Sequence, residues 1–383
     1  ILRGFFFKIN FNLKIYLMAK KVMIVVGTRP NFIKITQFQK EFEAYGDEFE
    51  YILVHTQQHY DANMSDIFFK QLKLKEPEYL NVNPASTANQ IGQAIIEIEK
   101  AVIKYQPDAL VVVGDVNSTL AGAIVGNKTG TKLFHLESGL RSYDNEMPEE
   151  INRLITDLVC DGFFVTEQSG YDNLIEAGKD KKNIHFVGNT MIDTLVAFDP
   201  VIQEDKILEE LGIEEKSFVL MTMHRPSNVD TKERLEILLN IIKKVSENSH
   251  LILPIHHRTK NSLIKHGLFE QLEGNHKVII TTALNYLSFQ KLISTCKYVL
   301  TDSGGIQEET TFRQVPCLTL RENTERPSTI TLGTNELVKY NFEAVAAKIN
   351  EIENGTFKTG TIPPNWDGKA TQRIVAVLRN ELN

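Results

Sequence analysis

The sequence predicts an α/β chain of two domains, each built on a mostly parallel, doubly wound sheet. Three observations carry this reading. The chain has 383 residues, too many for one ordinary core and suited to two. From Lys20 onward short β-branched runs alternate with amphipathic segments, the βαβα rhythm of a parallel sheet. The rhythm restarts after a turn near Gly188.

In the first half the expected strands are KVMIVVG, EYILVHT, ALVVVGD, KLFHLES and FFVT. KVMIVVG is apolar throughout, as in a strand buried on both faces. Pro30 opens a helix that runs through NFIKITQFQKEFEAYG. NQIGQAIIEIEKAVIKY, STLAGAIVGN and PEEINRLITDLVC are the next helices. In the second half FVLMTMHR, HLILPIHH, KVIITTA, YVLTDSG and CLTLR read as strands. ERLEILLNIIKKVSE reads as a helix, with apolar residues at i, i+3, i+4 and i+7. GKATQRIVAVLRNEL is one more amphipathic helix. The expected domains are residues 18–187 and 188–365, with 366–383 as the last helix.

Residues 1–17, ILRGFFFKINFNLKIYL, read as a non-native upstream extension, and Met18 as the expected start. Arg3, Lys8 and Lys14 interrupt this stretch, which is too short and too charged to span a bilayer. No small-residue cleavage site follows it.

Composition narrows the function. With 42% hydrophobic and 24% charged residues the chain is globular in type. A net charge of −7 with no basic block gives nucleic-acid binding no support. Cys160, Cys296 and Cys317 fit neither a disulfide framework nor a zinc site. They read as buried free thiols in a reducing compartment, so the expected location is cytoplasmic, without stable membrane association.

In open parallel sheets ligands bind beyond the carboxyl ends of the strands, so polar residues there are the informative ones. Gly27-Thr28-Arg29-Pro30 follows the first strand and opens a helix, whose free N–H groups suit an anion. Arg29 and Lys34 add charge nearby, although a tight turn with two solvated cations reads equally well. Asp115 ends ALVVVGD and is either a functional carboxylate or a cap for the helix that follows. Glu137 ends the strand in HLESG and is less readily a cap. Glu149 and Arg153 stand at i and i+4 on one helix face, either a surface salt bridge or a carboxylate pinned by a guanidinium. Asp115, Glu137 and Glu149 together would crowd three carboxylates, raising one another's proton affinity and supplying an acid at neutral pH.

In the second half His224-Arg225 and His256-His257 end strands. They lack metal-ligand spacing, and no HExxH is present, so no metal is expected. His257 reads best as a solvated or capping imidazole. Asp302-Ser303-Gly304-Gly305 follows YVLT and opens a helix. The glycines let the backbone approach a diphosphate, or form a plain turn. Glu309 lies one to two helical turns on, within reach of a ribose. Thr324-Glu325-Arg326-Pro327 sets a guanidinium beyond the next strand. No GxGxxG, Walker A or GxSxG appears, which disfavours a dinucleotide-binding Rossmann enzyme, a P-loop enzyme and a serine hydrolase.

GTRPNFIK, VVVGDVNSTLAGA, HLESGLRS, PEEINR, GNTMIDTL, TMHRPSN, TDSGGIQEET and RENTERPSTITLGTNELV stand in one order. That series resembles the non-hydrolysing UDP-N-acetylglucosamine 2-epimerases of bacteria and archaea, from about Lys20 to the final helix. The resemblance implies two Rossmann-like domains with parallel sheets facing a cleft, the glycosyltransferase-B type, with the last helix crossing back to the first domain. It implies reversible C2 epimerisation between UDP-N-acetylglucosamine and UDP-N-acetylmannosamine by anti elimination of UDP through 2-acetamidoglucal, without cofactor or obligatory metal. It also implies a homodimer. The sequence does not show the pathway served; polysaccharide biosynthesis is the setting expected.

On this resemblance Ser303, Gly304 and Gly305 would hold the diphosphate, Glu309 the ribose and Phe289 the uracil. Arg29, Lys34 and Arg326 would assist at the phosphates, and His224 would stabilise the departing UDP. Asp115, Glu137 and Glu149 would transfer protons, supported by Arg153. Gln58, Arg225 and His256 match parts of an allosteric substrate site. The chain departs from the family pattern at Asn31, at Thr56-Gln57-Gln58-His59 and at Pro226-Ser227, the last of these in the allosteric motif. The alternatives are a related UDP-acetamido sugar, a hydrolysing relative releasing UDP and N-acetylmannosamine, a glycosyltransferase of the same fold, and a catalytically silent UDP-sugar-binding protein.

Overall fold

A computed structural model gives residues 19–56, 71–72, 74–82 and 86–383, and within them every side chain but that of Arg29. Among these residues two parallel sheets form. The first has the strand order β3-β2-β1-β4-β5-β6-β7. Its strands are β1 (Lys20–Val26), β2 (Phe49–His55), β3 (Glu78–Tyr79), β4 (Ala109–Val113), β5 (Lys132–Leu136), β6 (Gly162–Val165) and β7 (Ile184–Phe186). The second has the order β10-β9-β8-β11-β12-β13. Its strands are β8 (Phe218–Thr222), β9 (His250–Pro254), β10 (Val278–Thr281), β11 (Val299–Thr301), β12 (Cys317–Thr319) and β13 (Asn335–Leu337). This is the two-sheet α/β fold the sequence predicts. The central strands are apolar along their whole length because helices cover both faces, and Val22 to Val26 are all buried. The edge strands β3, β7 and β13 are two or three residues long, too short to carry a periodic signal.

The helices that matter for the site are α1 (Arg29–Ile33), α2 (Phe38–Glu43), α3 (Thr87–Tyr105), α4 (Asn117–Thr129), α5 (Pro148–Val159), α6 (Thr190–Gln203), α7 (Gly304–Arg313), α8 (Pro327–Thr331) and α9 (Ala370–Leu382). The single helix expected after Pro30 is in fact two, α1 and α2. The chain breaks over residues 34–37, where Lys34 and Ile35 make short-turn bonds to Asn31 and Phe32. Three β-branched residues, Ile33, Ile35 and Thr36, weaken the helix there. The Thr36 hydroxyl bonds that of Thr194 on α6 at 2.6 Å, and the break lets Lys34 turn inward.

The core of the first sheet includes Val22, Ile24, Phe38 and Phe42 together with Ile192, Leu195 and Phe198 of α6 and Ile374, Val375 and Leu378 of α9. Asp193 of α6 caps α9, accepting from the N–H groups of Ala370 (3.0 Å) and Thr371 (2.6 Å). The last helix therefore packs on the first sheet, although it follows the second in sequence.

Candidate active site between the two sheets

Each sheet has one switch point, where chain connections leave in opposite directions from two neighbouring strands: β1 beside β4, and β8 beside β11. The loops beyond such strands form a natural crevice. Gly27 follows β1, Gly114-Asp115 follows β4 and Glu137 follows β5. In the second sheet His224 follows β8, Asp302-Ser303 follows β11 and the run from Arg321 to Arg326 follows β12. The two sheets offer matching sets of three strand ends.

On the first side Lys34 Nζ lies 2.5 Å from Glu137 Oε2, with both side chains buried. Glu137 takes a left-handed φ of 68°, which aims its side chain out of the strand direction. Its other oxygen, Oε1, is buried and has no hydrogen-bond partner among the described residues, which leaves it able to accept from a ligand or a water. Gly114 has φ 69°, and a Cβ there would stand 3.0 Å from Lys34 Nζ. Glycine takes this conformation at least cost and leaves Lys34 its room. Asn31 holds the preceding turn: its Oδ1 accepts from the N–H groups of Gly27 and Thr28, both at 3.2 Å.

Asp115 is no helix cap, since Val116 occupies that position of α4. Its Oδ2 accepts instead from Arg153 Nε (3.0 Å) and Nη2 (2.6 Å). Burial pushes the Asp115 carboxyl up, but Arg153, Lys34 and Arg326 outweigh it and hold the group below its ordinary value. The crowding expected to make it an acid is overcome by cations. Glu149 does not pair with Arg153: it is exposed, and Glu150, one residue later, takes the guanidinium with Oε2 2.6 Å from Nη1. Residues 150, 153 and 157 share the buried side of α5, and the helical screw carries residue 149 off that side.

On the second side Asp302 is fully buried. It accepts from the backbone N–H of His224 (3.0 Å), the N–H of Arg225 (2.8 Å) and Asn228 Nδ2 (3.2 Å). Its Oδ1 also lies 2.9 Å from His224 Nδ1, which leaves His224 Nε2 for a ligand. Burial pushes the Asp302 carboxyl up, and the His224 contact and backbone donors bring it below the ordinary value. The His224 and His256 rings are 5.4 Å apart. His256, rather than His257, caps the helix His257–Lys265, its Nδ1 accepting from the N–H of Arg258 at 3.2 Å. Burial, His257 and His224 lower the His256 imidazole's affinity for a proton.

Ser303 is the N-cap residue of α7 but its hydroxyl makes no capping bond. A Cβ on Gly304 would fall 2.8 Å from Arg326 Nη1 and 2.9 Å from Glu325 Oε1. The start of α7 therefore abuts a cluster of buried charges. Glu325 pairs with Arg326 and lies 3.0 Å from Arg321 Nη2. Arg326 Nε in turn lies 2.9 Å from Glu308 Oε2, and Asn189 Nδ2 donates to Glu308 Oε1 at 2.9 Å. Burial pushes Glu325 up, but Arg326, Arg321 and Arg153 hold its carboxyl well below the usual carboxylate range. Glu308 goes the other way: burial raises it despite Arg326. Burial also raises Glu309, to about 7.

The two sides touch. Arg153 Nη2 lies 3.9 Å from Glu325 Oε1, and Glu167 of the first side accepts from Ser328 Oγ of α8 at 2.6 Å. Asp115, Arg153, Glu325, Arg326 and Glu308 thus form one run of alternating charge across the cleft.

Of the residues singled out in the sequence, Lys34, Asp115, Glu137, Arg153, Gly304 and Arg326 come together here. His224 and Arg225 join through Asp302, Arg225 Nε donating to the Asp302 carbonyl at 3.1 Å. Gly305 stands beside Met191, whose Cε would be 3.3 Å from an added Cβ. Phe289 is half-buried against the Leu292 cluster. Glu309 is buried on α7. Gln58 lies outside the described residues. The sequence assigns no role to Glu150, Glu308 or Asn189, and brings in Asp302 and Glu325 only as members of motifs. The alternation of Arg321, Glu325 and Arg326 after a strand was a readable signal for Glu325. Nothing in the local pattern marks Glu308 over Glu309.

A family model described as UDP-N-acetylglucosamine 2-epimerase matches residues 41–379. A UDP-N-acetylglucosamine 2-epimerase of Methanocaldococcus jannaschii is 38% identical over 364 residues, covering 94% of this chain and 98% of that protein. A UDP-2,3-diacetamido-2,3-dideoxy-D-glucuronate 2-epimerase of Pseudomonas aeruginosa is 36% identical over 323 residues, covering 83% of this chain and 88% of that one. The crystal structure of Methanocaldococcus jannaschii UDP-GlcNAc 2-epimerase in complex with UDP-GlcNAc and UDP superposes with a TM-score of 0.85 at 37% identity, over 94% of this chain and 99% of that one.

Proposed function

The chain belongs to the UDP-N-acetylglucosamine 2-epimerase family, and from that premise we propose that it interconverts UDP-N-acetylglucosamine and UDP-N-acetylmannosamine without hydrolysis. The observation that carries the reading is the pairing of Glu137 with Lys34 and of Asp115 with Arg153 at neighbouring strand ends, opposite the glycines that open α7. Carboxylates on one wall and a diphosphate cradle on the other are what elimination and re-addition of UDP require.

The C2 hydrogen of the sugar is weakly acidic, so departure of UDP must lead. Free N–H groups at the start of α7, with Arg326 and His224, would take up the charge of the leaving diphosphate. His224 suits the task because Asp302 orients its ring. Glu309 would hold the ribose, Phe289 the uracil, and Ser303, Gly305 and Arg29 the remaining phosphate contacts. A carboxylate then takes the C2 proton to give 2-acetamidoglucal. Asp115, kept ionised by Arg153, suits the base. Glu137 has a buried oxygen free for substrate. Glu149, exposed at the first turn of α5, would be the third proton-transfer group. UDP re-adds, and a proton returns to the other face of C2.

Incubation with UDP-N-acetylglucosamine in D2O should give both epimeric UDP-sugars, deuterated at C2, by NMR. Complete conversion to free UDP and N-acetylmannosamine would establish a hydrolysing enzyme instead. The Pseudomonas aeruginosa relative favours a second reading, a UDP-diacetamido uronate as substrate. The same time course with that sugar distinguishes the two.

We further propose a homodimer through α5. This helix is inverted: Glu150, Arg153 and Asp157 are buried, while Ile151, Leu154, Ile155 and Leu158 are exposed at i, i+3, i+4 and i+7. Leu158 is 72% exposed. An apolar stripe of this kind on a surface helix fits a second copy of the same face. Among the described residues no helix is long and apolar enough to cross a membrane. The cysteines are free and buried, which supports a reducing, cytoplasmic setting.

A further inference from the structure

A buried charged cluster lies beneath the Gly114-Asp115 turn, and the chemistry above makes no use of it. His135 of β5 is fully buried. Its Nδ1 stands 2.6 Å from Asp157 Oδ1 and its Nε2 stands 2.8 Å from the Gly114 carbonyl oxygen. Asp157, on the buried side of α5, also accepts from the N–H of Gly139 (3.1 Å), and its Oδ2 lies 2.7 Å from Arg141 Nη1. Asp157 thus takes two donors besides His135, the Gly139 N–H and the Arg141 guanidinium, which favours its ionised form. An ionised carboxylate only accepts hydrogen bonds, and so does a carbonyl. Both ring nitrogens of His135 therefore face acceptors. A bare nitrogen in either place would set one lone pair against another at hydrogen-bond distance. The contacts are satisfied only when both nitrogens carry hydrogen.

We propose that His135 is a buried imidazolium that acts as a positioning residue for the epimerisation, tying the ends of β4 and β5 so that Asp115 and Glu137 point at one sugar. The inference rests on the functional reading above for its catalytic half and on hydrogen-bond chemistry for its charge. Gly114 is in the left-handed region, so its carbonyl direction is set by its one strong donor and fixes the peptide leading into Asp115. Glu137 lies two residues beyond His135 on the same strand end. The surrounding charges are Asp157 and Arg141, the Lys34–Glu137 pair above the turn, and Arg153 with Asp115 and Glu150 on the α5 side. The Cys160 thiol nearby is held neutral by burial. With Asp157 counted once against His135 and Arg141, the cluster keeps one positive charge under the carboxylates, where a neutral amide could copy the hydrogen bond to Gly114 but not the charge.

The test is 15N NMR of histidine-labelled wild-type protein at about pH 7.5, where an unperturbed imidazole is mostly neutral. The His135 signals are assigned by difference against His135→Gln or Asp157→Asn. Both nitrogens should be protonated; one unprotonated nitrogen overturns the imidazolium. His135→Leu, which cannot make the bond to Gly114, should retain UDP affinity and KM within about 3-fold while kcat falls about 100-fold, the scale of a small misplacement of reacting groups. A His135→Leu chain with wild-type kcat overturns the positioning role. A wild-type chain that binds UDP without epimerising overturns the functional reading and the positioning role with it, and the NMR spectrum still decides the charge.

Discussion

Arg153 reaches from α5 to Glu325 in the loop beyond β12, Nη2 to Oε1 at 3.9 Å, and so joins the carboxyl-end loops of the two sheets. The contact is one of three that Glu325 makes with guanidinium groups, the others being Arg321 and Arg326. Removing the carboxylate takes from Arg321 its carboxylate partner and leaves Arg153 to Asp115 and Glu150, and Arg326 to Glu308, all of them buried or partly buried. Glu325→Gln should therefore destabilise the fold by about 3–5 kcal/mol, as breaking a buried ion pair from one side does. Urea denaturation checks it, and an unchanged midpoint would mean that the arginines are solvated.

The neighbouring glutamates of α5 should separate cleanly. Glu150 accepts from Ser142 N–H (2.8 Å), the Ser142 hydroxyl (2.9 Å) and Arg153. Glu150→Gln should lower stability by about 3 kcal/mol or more. Glu149 is exposed, so Glu149→Gln should change stability by less than about 0.5 kcal/mol while reducing kcat. A Glu149→Gln enzyme with full turnover would remove that residue from the catalytic set.

Two buried glutamates predict pH effects of opposite sign. Glu309 is raised from 4.5 to about 7 by burial, so between those values the folded state binds more protons than the unfolded one. Stability then falls as pH rises through that window, by up to about 3 kcal/mol from this group, and Glu309→Gln should flatten the curve. Glu325 is held low, so its contribution is complete above the ordinary carboxyl value and is lost as pH drops below it. Thermal melts from about pH 2.5 to 8 read both, and a Glu309→Gln curve that superposes on wild type would exclude the first.

Leu158→Glu places a charge in the exposed stripe of α5. Sedimentation should show a dimer for wild type and a monomer for this variant. A wild-type monomer at micromolar concentration would end the dimer proposal.

Much of the fold was legible because buried parallel strands are apolar without interruption, and the polar residues that end them stand out. Asp115, Glu137, His224 and Ser303 stand out in that way. The pairings were not legible. Whether Glu149 or Glu150 meets Arg153 depends on how far α5 is rotated about its axis, and a one-residue difference there is about a quarter of a turn. The break between α1 and α2 was hidden because both pieces bury residues of the same pattern. His135 and Asp157, 22 positions apart, meet only through tertiary packing.

The inversion of α5 bears on how this protein tolerates change. An ordinary surface helix has one side where substitutions pass unnoticed. Here the inward side carries Glu150, Arg153 and Asp157, where losing a charge is costly, and the outward side carries Ile151, Leu154, Ile155 and Leu158, where gaining one would be. A saturation scan of α5 should look like that of a fully enclosed helix, with a profile that solvent accessibility alone would misjudge.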